Sequence, residues 1–382
     1  MADSYWLSEP VPVLVSRPLP AVADIEVVGG GVTGISCALT LAQAGKRVRL
    51  HEARAVASGA SGRNGGFALR GGAMAYDSAR EWIGHEQAAE YWRLTEAYVG
   101  RMGKLGGGAF RRTGSLRLAS DDEREDLHSE YEALREDGFA AEWRDELPEP
   151  LAGRFPGALF HPDDAVLQPA RLVRRMAGLA AEAGVEIREH NRVEDLDALE
   201  AETIVVATDG YPSGLLGELE GLIIPTRGQM IATEPLPERL FPMPHYGRHG
   251  YDYWHQDEEG RILAGGFRDF DLESEFTTSE ETTPRIQGAL DDFVEQILGR
   301  RPEVTHRWAG VFGLVPDLMP VVGRVPGRDG LWMAGGYSGH GNVLGLMCGD
   351  LVAKAILGDP HSLLEPMDPA RLIRPSTLPC PE

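Results

Sequence analysis

The sequence predicts an α/β fold in which the chain leaves and re-enters a Rossmann-like domain, with strand-rich pieces interleaved. Three stretches predict it. Residues 25–52 read as strand, glycine turn, helix, strand and acid, residues 168–208 return to the same alternation, and residues 331–358 read as strand, glycine loop and long helix. Apolar runs alternating with helix-period segments are the mark of β–α–β units and a parallel sheet.

The first stretch is the most specific. Ile25 to Val28 is a short apolar run leading into Gly29-Gly30-Gly31-Val32-Thr33-Gly34. Gly29 permits a tight turn, Gly31 lets backbone approach a pyrophosphate, and Gly34 lets the helix pack close to the strand. The helix N-terminus offers unpaired N–H groups and about half a positive charge to phosphates. Glu52 ends the second strand, where a ribose hydroxyl needs an acceptor. A bound adenine dinucleotide follows, without separating NAD from FAD. Glu26 breaks the pattern, because it puts a charge in a strand expected to be buried on both faces.

Farther along, residues 78–105 form a helical pattern whose aromatic residues, Trp82, Tyr91, Trp92 and Tyr98, fit a core. Residues 110–118 read as a hairpin or strand pair, and 121–137 as an acidic helix. Gln168-Pro169 opens another helix, followed by strands at 185–189 and 203–208. Strand character returns at 222–233, 251–255 and 262–264, and helix character at 284–298. Such interleaving lets two regions face each other across a cleft, where ligands bind.

A chain of 382 residues with 42% hydrophobic and 25% charged residues is ordinary for one or two soluble globular domains. No apolar run is long enough to cross a bilayer, so no membrane insertion is expected. The first twenty residues lack a secretory pattern and read as an extended arm that Trp6 and Leu7 can pin to the body. The net charge of −22 argues against nucleic acid as a partner. Residues 121–150 hold 13 acids against 3 arginines, which reads as a solvated face. Cys37, Cys348 and Cys380 make no disulfide framework and fit a reducing cytoplasm. His245, His249 and His255 lack the accompanying ligands of a zinc site, so no metal is expected.

Two glycine loops carry the next step. Residues 58–67, SGASGRNGGF, follow directly from the acid-bearing strand. They read as backbone laid against a flat ligand, with Arg63 and Asn64 as polar handles, rather than as a free surface loop. Residues 335–343, GGYSGHGNV, sit between a strand and an apolar helix whose N-terminus points back at the loop. A helix N-terminus there would stabilise the negative charge of a reduced flavin. His340 is open to three roles: base, flavin neighbour or loop histidine. Tyr253, Trp254, His255, Phe312, Tyr337 and His340 are the candidate pocket residues. Tyr253 and His255 share one strand face, and aromatic rings hold alkylammonium groups. Sheet packing is the equal alternative for Tyr253 and Trp254.

Together, SYWL, VVGGGVTGISCAL, SGASGRNGGF, IVVATDGY (204–211), PTRGQM (225–230), WAGVFGLVPDLMPVVGR (308–324) and GGYSGHGN (335–342) resemble the FAD-dependent amine and amino-acid oxidases of the D-amino-acid oxidase type. Glycine oxidase and monomeric sarcosine oxidase are familiar members, and the gamma-glutamylputrescine oxidase branch is the most similar. The resemblance implies an FAD-binding domain from 21–77, 151–221 and 323–382. It also implies an α+β substrate-binding domain with a mostly antiparallel sheet from 78–150 and 222–322, after an arm over 1–20. It places Gly29, Gly31, Val32, Thr33 and Gly34 at the pyrophosphate, and Glu52, Ala53 and Arg54 at the ribose side. Ser61, Gly62, Arg63, Asn64, Gly65 and Gly66 would run beside phosphate and isoalloxazine. Val193 would meet the adenine side, Ala207 and Thr208 the dinucleotide. Gly336, Ser338, Gly339, His340, Gly341, Asn342 and Val343 would approach the flavin ring.

Departures from the family pattern shape the expected chemistry. Gly310 stands where covalently flavinylated members carry cysteine, so non-covalent FAD is expected. Phe312 stands where glycine oxidase-like members carry a carboxylate-binding arginine, which favours an amine, or an amine with a distant carboxylate. Arg227 is open to an anion-binding or a structural role. None of the three lysines matches the oxygen-activating lysine of sarcosine oxidase, which leaves oxygen or a quinone as acceptor. The expected reaction is hydride transfer from an amine to flavin N5, with hydrolysis of the resulting imine. His340 and Tyr253 are the candidate catalytic residues. The rivals are an amino-acid dehydrogenase feeding a quinone or partner protein, and a non-catalytic FAD-binding subunit.

Overall fold

The computed structural model describes residues 4–11, 13–211, 214–219 and 221–373; Cys380 lies outside them. Three sheets organise the chain. The first has six strands in the order Val321–Arg324, Leu331–Gly335, Thr203–Val206, Ile25–Val28, Val48–His51 and Glu186–Arg188. All its pairs are parallel except the first. This is the predicted parallel sheet, assembled from the three separated stretches. The second sheet has eight strands built around the long antiparallel pair Ile224–Pro235 and Val304–Leu314. Among the described residues its one parallel pair joins His245–Gly247 to Ser115–Leu118. A small third sheet pairs Phe67–Ala68 and Phe110–Arg112 with Ala165–Leu167.

Residues 110–118 therefore are not a hairpin, because their two strands belong to different sheets. Strand Ala158–His161 joins the eight-stranded sheet through Ser115–Leu118, although 151–221 was expected on the other side. The helical pattern at 78–105 is two helices, Tyr76–Ile83 and His85–Gly106, broken at Gly84 with φ 88°. The second of these packs on the long helix Gly341–Ile356, where Arg101 meets the buried Asp350 at 2.7 Å.

Glu26 is explained by its neighbours. Parallel register sets Glu26 beside Arg49, and Arg49 beside Glu186. Arg49 donates to Glu26 at 2.7 Å and to Glu186 at 2.9 Å, so a buried charge ladder crosses three strands. The N-terminal arm covers its edge: Leu19 N–H donates to Glu186 and Ile187 N–H to Ser16 Oγ.

The first helix, Val32–Gln43, is buried along most of its length. Three of its polar residues, Thr33, Ser36 and Thr40, recur at helical spacing and face residues 337–350. Thr33 Oγ1 bonds the Tyr337 hydroxyl at 2.9 Å, Ser36 donates to Leu346 O at 2.7 Å, and Thr40 donates to Asp350 at 2.5 Å. That ladder ties the helix after the Gly29–Gly34 turn to the loop and helix at 337–350.

Candidate functional site

One cavity of about 1650 Å³ runs between the parallel and eight-stranded sheets. It exceeds the roughly 300–1,000 Å³ of ordinary small-molecule pockets, and so has room for a dinucleotide and a second ligand. At one end lie Glu52, Ala53, Arg54 and Val193; in the middle Gly29, Gly31, Val32, Thr33, Ala207 and Thr208; farther on Ser61, Arg63, Asn64 and Gly65. Ser338, Gly339, His340, Gly341, Asn342 and Val343 line it opposite Tyr253 and Phe312, with Tyr337 beside them. Gly34, Gly62, Gly66 and Gly336 lie behind this surface rather than on it.

The turn fits a dinucleotide on steric grounds. Gly29 has φ 116°, and a Cβ there would lie 2.5 Å from Ala207 O. A Cβ on Gly34 would lie 1.9 Å from Gly29 O, so only glycine lets helix and strand approach this closely. Glu52 is aimed by backbone: its Oε2 accepts from Gly30 N–H at 2.7 Å and its Oε1 from Arg54 N–H at 2.8 Å. A carboxylate accepts about four hydrogen bonds, so lone pairs remain for ribose hydroxyls.

The two glycine loops are stitched by an amide pair. Asn64 Nδ2 donates to Asn342 Oδ1 at 3.0 Å, and Asn342 Nδ2 donates back to Asn64 Oδ1 at 3.0 Å and to Phe67 O at 2.8 Å. Trp6 braces the same loop by donating from Nε1 to Asn64 O at 2.7 Å, so the arm is pinned where the sequence places it. Arg63 is buried and donates to Ser58 O at 2.9 Å and Ala309 O at 3.2 Å. Arg63 and Asn64 thus shape the loop before any ligand contacts them.

Three candidate substrate residues are not brought to the cavity. Trp254 alternates with Tyr253 along the strand Asp252–Gln256, so it points to the opposite face and packs on Phe241, His245 and Phe293. His255 shares the face of Tyr253 but lies farther along, stacked on Trp6 and edge-on to Phe67. Arg227 is buried and held by Glu275 at 2.7 and 2.9 Å, with carbonyls of Ser274 and Glu281, which makes it structural. Tyr337 lines the cavity, but its hydroxyl is occupied by Thr33.

The two candidate catalytic residues are poor bases at neutral pH. Burial pushes His340 down to about 4, and its Nδ1 has no partner among the described residues. Burial pushes Tyr253 up to about 12, so its phenol stays protonated.

Three cavity residues escaped the sequence reading. Glu280, from the eight-stranded side, accepts two bonds from Arg54 (2.7 and 3.0 Å) and one from the Tyr211 hydroxyl (2.6 Å). Tyr211 itself lines the wall beside Gly59. Arg268 lies against Phe312. Only Arg268 left a local signal, the glycine pair that ends its strand in GGFR. No group of three or more His, Cys, Asp or Glu that could hold a metal occurs among the described residues. No described helix is long and apolar enough to cross a membrane.

Comparison with known proteins agrees with this geometry. The chain is 28% identical to glycine oxidase of Bacillus licheniformis, over 88% of this chain and 94% of that protein. It is 26% identical to gamma-glutamylputrescine oxidoreductase of Escherichia coli (strain K12), over 88% of this chain and 84% of that one. The fold matches the crystal structure of glycine oxidase from Geobacillus kaustophilus with a TM-score of 0.74 at 23% identity, covering 91% of this chain and 98% of that one. Residues 24–355 match the family described as FAD dependent oxidoreductase, and the chain belongs to that family.

Proposed function

We propose that the protein oxidises an amine of the gamma-glutamylputrescine type, or another primary or secondary amine. The α-carbon loses a hydride equivalent, and water hydrolyses the resulting imine to a carbonyl product. The observation that carries this reading is the wall opposite Gly339–Val343. Tyr253 and Phe312 line the cavity there: the Tyr253 ring carries no cation from the described residues and attracts an alkylammonium, and Phe312 packs on its carbon chain. The similarity to gamma-glutamylputrescine oxidoreductase supports the same substrate class.

FAD, when bound, supplies the two-electron acceptor. Gly29 and Gly31 would cradle its pyrophosphate, with Gly34 behind them letting helix and strand approach; Glu52 would hold its ribose, and Ser61, Asn64 and Gly65 would run along its inner edge. Gly341, Asn342 and Val343 at the N-terminus of the helix Gly341–Ile356 would face the flavin and favour negative charge there. Attachment would be non-covalent, because a Cβ at Gly310 would lie 2.8 Å from Arg63 Cβ, leaving no room for cysteine. His340 and Tyr253 remain neutral and orient the amine, so rate comes from positioning and electrostatics rather than from a strong base.

A second reading, electron transfer to a quinone or partner protein, is favoured by one observation: no lysine lines the cavity. The test is anaerobic stopped-flow mixing of the loaded enzyme with polyamines, their γ-glutamyl derivatives, N-methyl amino acids and D-amino acids. Loss of oxidised-flavin absorbance with the amines is expected. Reduction only by α-amino acids with a free carboxylate would overturn the substrate assignment. Peroxide release under air then separates oxygen from other acceptors.

A further inference from the structure

A cation at the substrate end of the cavity has no part in the chemistry above. Arg268 lines the cavity immediately after the strand Arg261–Gly266. The turn that delivers it is strained. Phe267 has φ 62°, a conformation that a bulky residue keeps only when its surroundings impose it. They do so here: the Phe267 ring is buried against Phe270 and Phe293, and its N–H donates to Tyr251 O at 2.7 Å.

The guanidinium of Arg268 lies on aromatic faces, with Cζ 4.4 Å from the Tyr251 ring centre and 5.7 Å from that of Phe312. It forms no hydrogen bond or ion pair with any described residue. The other buried or half-buried arginines of the cavity differ: Arg54 and Arg63 face Glu280 and Arg117 faces Glu130, while Arg192 is solvent-exposed. The chain has 59 acidic residues against 37 basic ones, so an arginine without a carboxylate inside a shared cavity is a departure from its own surroundings. A guanidinium whose N–H groups have no partner matches a carboxylate in a two-bond fork. Its positive field also reaches Tyr253 and His340.

We propose that Arg268 anchors a carboxylate carried by the amine substrate, holding it beside Phe312 while the nitrogen-bearing carbon lies toward Tyr253. The inference rests on the amine-oxidation reading and narrows it to amines bearing a carboxylate. Phe312 has no charge of its own, and Arg268 supplies a guanidinium against its ring from the end of another strand. Phe312 then serves as a platform for the anchor.

The experiment is calorimetric and spectral titration of the FAD-loaded protein with phenylacetate and with phenylacetamide, which differ in the charge. Wild type should bind phenylacetate at least tenfold more tightly than the amide. Arg268→Met should lose at least tenfold for phenylacetate with amide binding unchanged, and Arg268→Lys should keep part of the preference. Equal binding of the two probes by wild type, no binding of phenylacetate, or unchanged phenylacetate binding by Arg268→Met would each overturn the anchor. Flavin content identifies a misfolded variant, and Arg268→Gln then replaces Arg268→Met in the same comparison. Anaerobic reduction by amines in the same wild-type sample separates the two levels. Reduction without carboxylate preference removes only the anchor, whereas no reduction by any amine removes the underlying reading.

Discussion

Replacing Glu280 with alanine should loosen the cavity wall by an amount that the geometry fixes. The side chain is 7% exposed and takes two bonds from Arg54 and one from Tyr211, with Arg63 Nη2 at 3.5 Å. Burial raises the Glu280 pKa, but the bonds from Arg54 and Tyr211 outweigh it and leave the carboxyl below its ordinary value. It is therefore ionised at neutral pH. Alanine leaves Arg63, itself 4% exposed, with carbonyl partners but no countercharge. Breaking a buried pair in this way costs about 3–5 kcal/mol. A chain of 382 residues has an unfolding entropy of about 0.8 kcal/mol/K near its midpoint. The melting temperature should then fall by about 4–6 °C. Scanning calorimetry of the FAD-free protein at pH 7 reads this directly, and Glu280→Gln should fall in between because it keeps the shape and loses the charge. Melting of Glu280→Ala within about 1 °C of wild type would refute the reasoning.

Gly31→Val should abolish FAD retention, since even a Cβ there lies 3.0 Å from Ser61 Oγ, which accepts from Val32 N–H; a variant that purifies with a full complement of flavin would contradict this. Arg49→Met should cost about 3–5 kcal/mol by leaving the buried Glu26 without a countercharge, while Glu186 keeps Arg188, whereas Arg47→Met, which breaks a solvent-exposed pair with Asp24, should cost far less; urea unfolding compares them. Stability of the FAD-free protein should rise from pH 5 to pH 7. Burial lowers His161, lowers His245 to about 3, and lowers His255 and His340 to about 4, so unfolding takes up protons between these values and about 6.5. Each contributes about 1.4 kcal/mol per pH unit in that window; Asp164, raised to about 6 by burial, opposes with the reverse sign below its own value, as do Glu130, Asp209 and Asp252, which burial also raises. A flat or falling urea midpoint over this range would contradict the burial of these histidines.

What the sequence disclosed was local. The turn at Gly29–Gly34, the acid at Glu52 and the two glycine loops each announce themselves within a dozen residues, because tight turns and close backbone approach demand glycine there. Chain order also implied that separated segments share one sheet, and the order of the six strands agrees. What stayed hidden depends on neighbours far along the chain. Glu26 looked misplaced until Arg49 and Glu186 stood beside it in register. Arg227 kept two meanings until Glu275 closed on it. Trp254 and His255 looked like pocket residues by proximity to Tyr253, but alternation turns one away and distance along the strand removes the other. Glu280 sits in a short polar segment with no pattern of its own, and only its partners Arg54 and Tyr211 give it meaning.

The central claim is that the walls between the two large sheets enclose FAD. The most direct measurement is the flavin released by denaturing the purified protein after incubation with FAD and removal of the excess. One FAD per chain is predicted; a colourless protein that releases none would contradict the account.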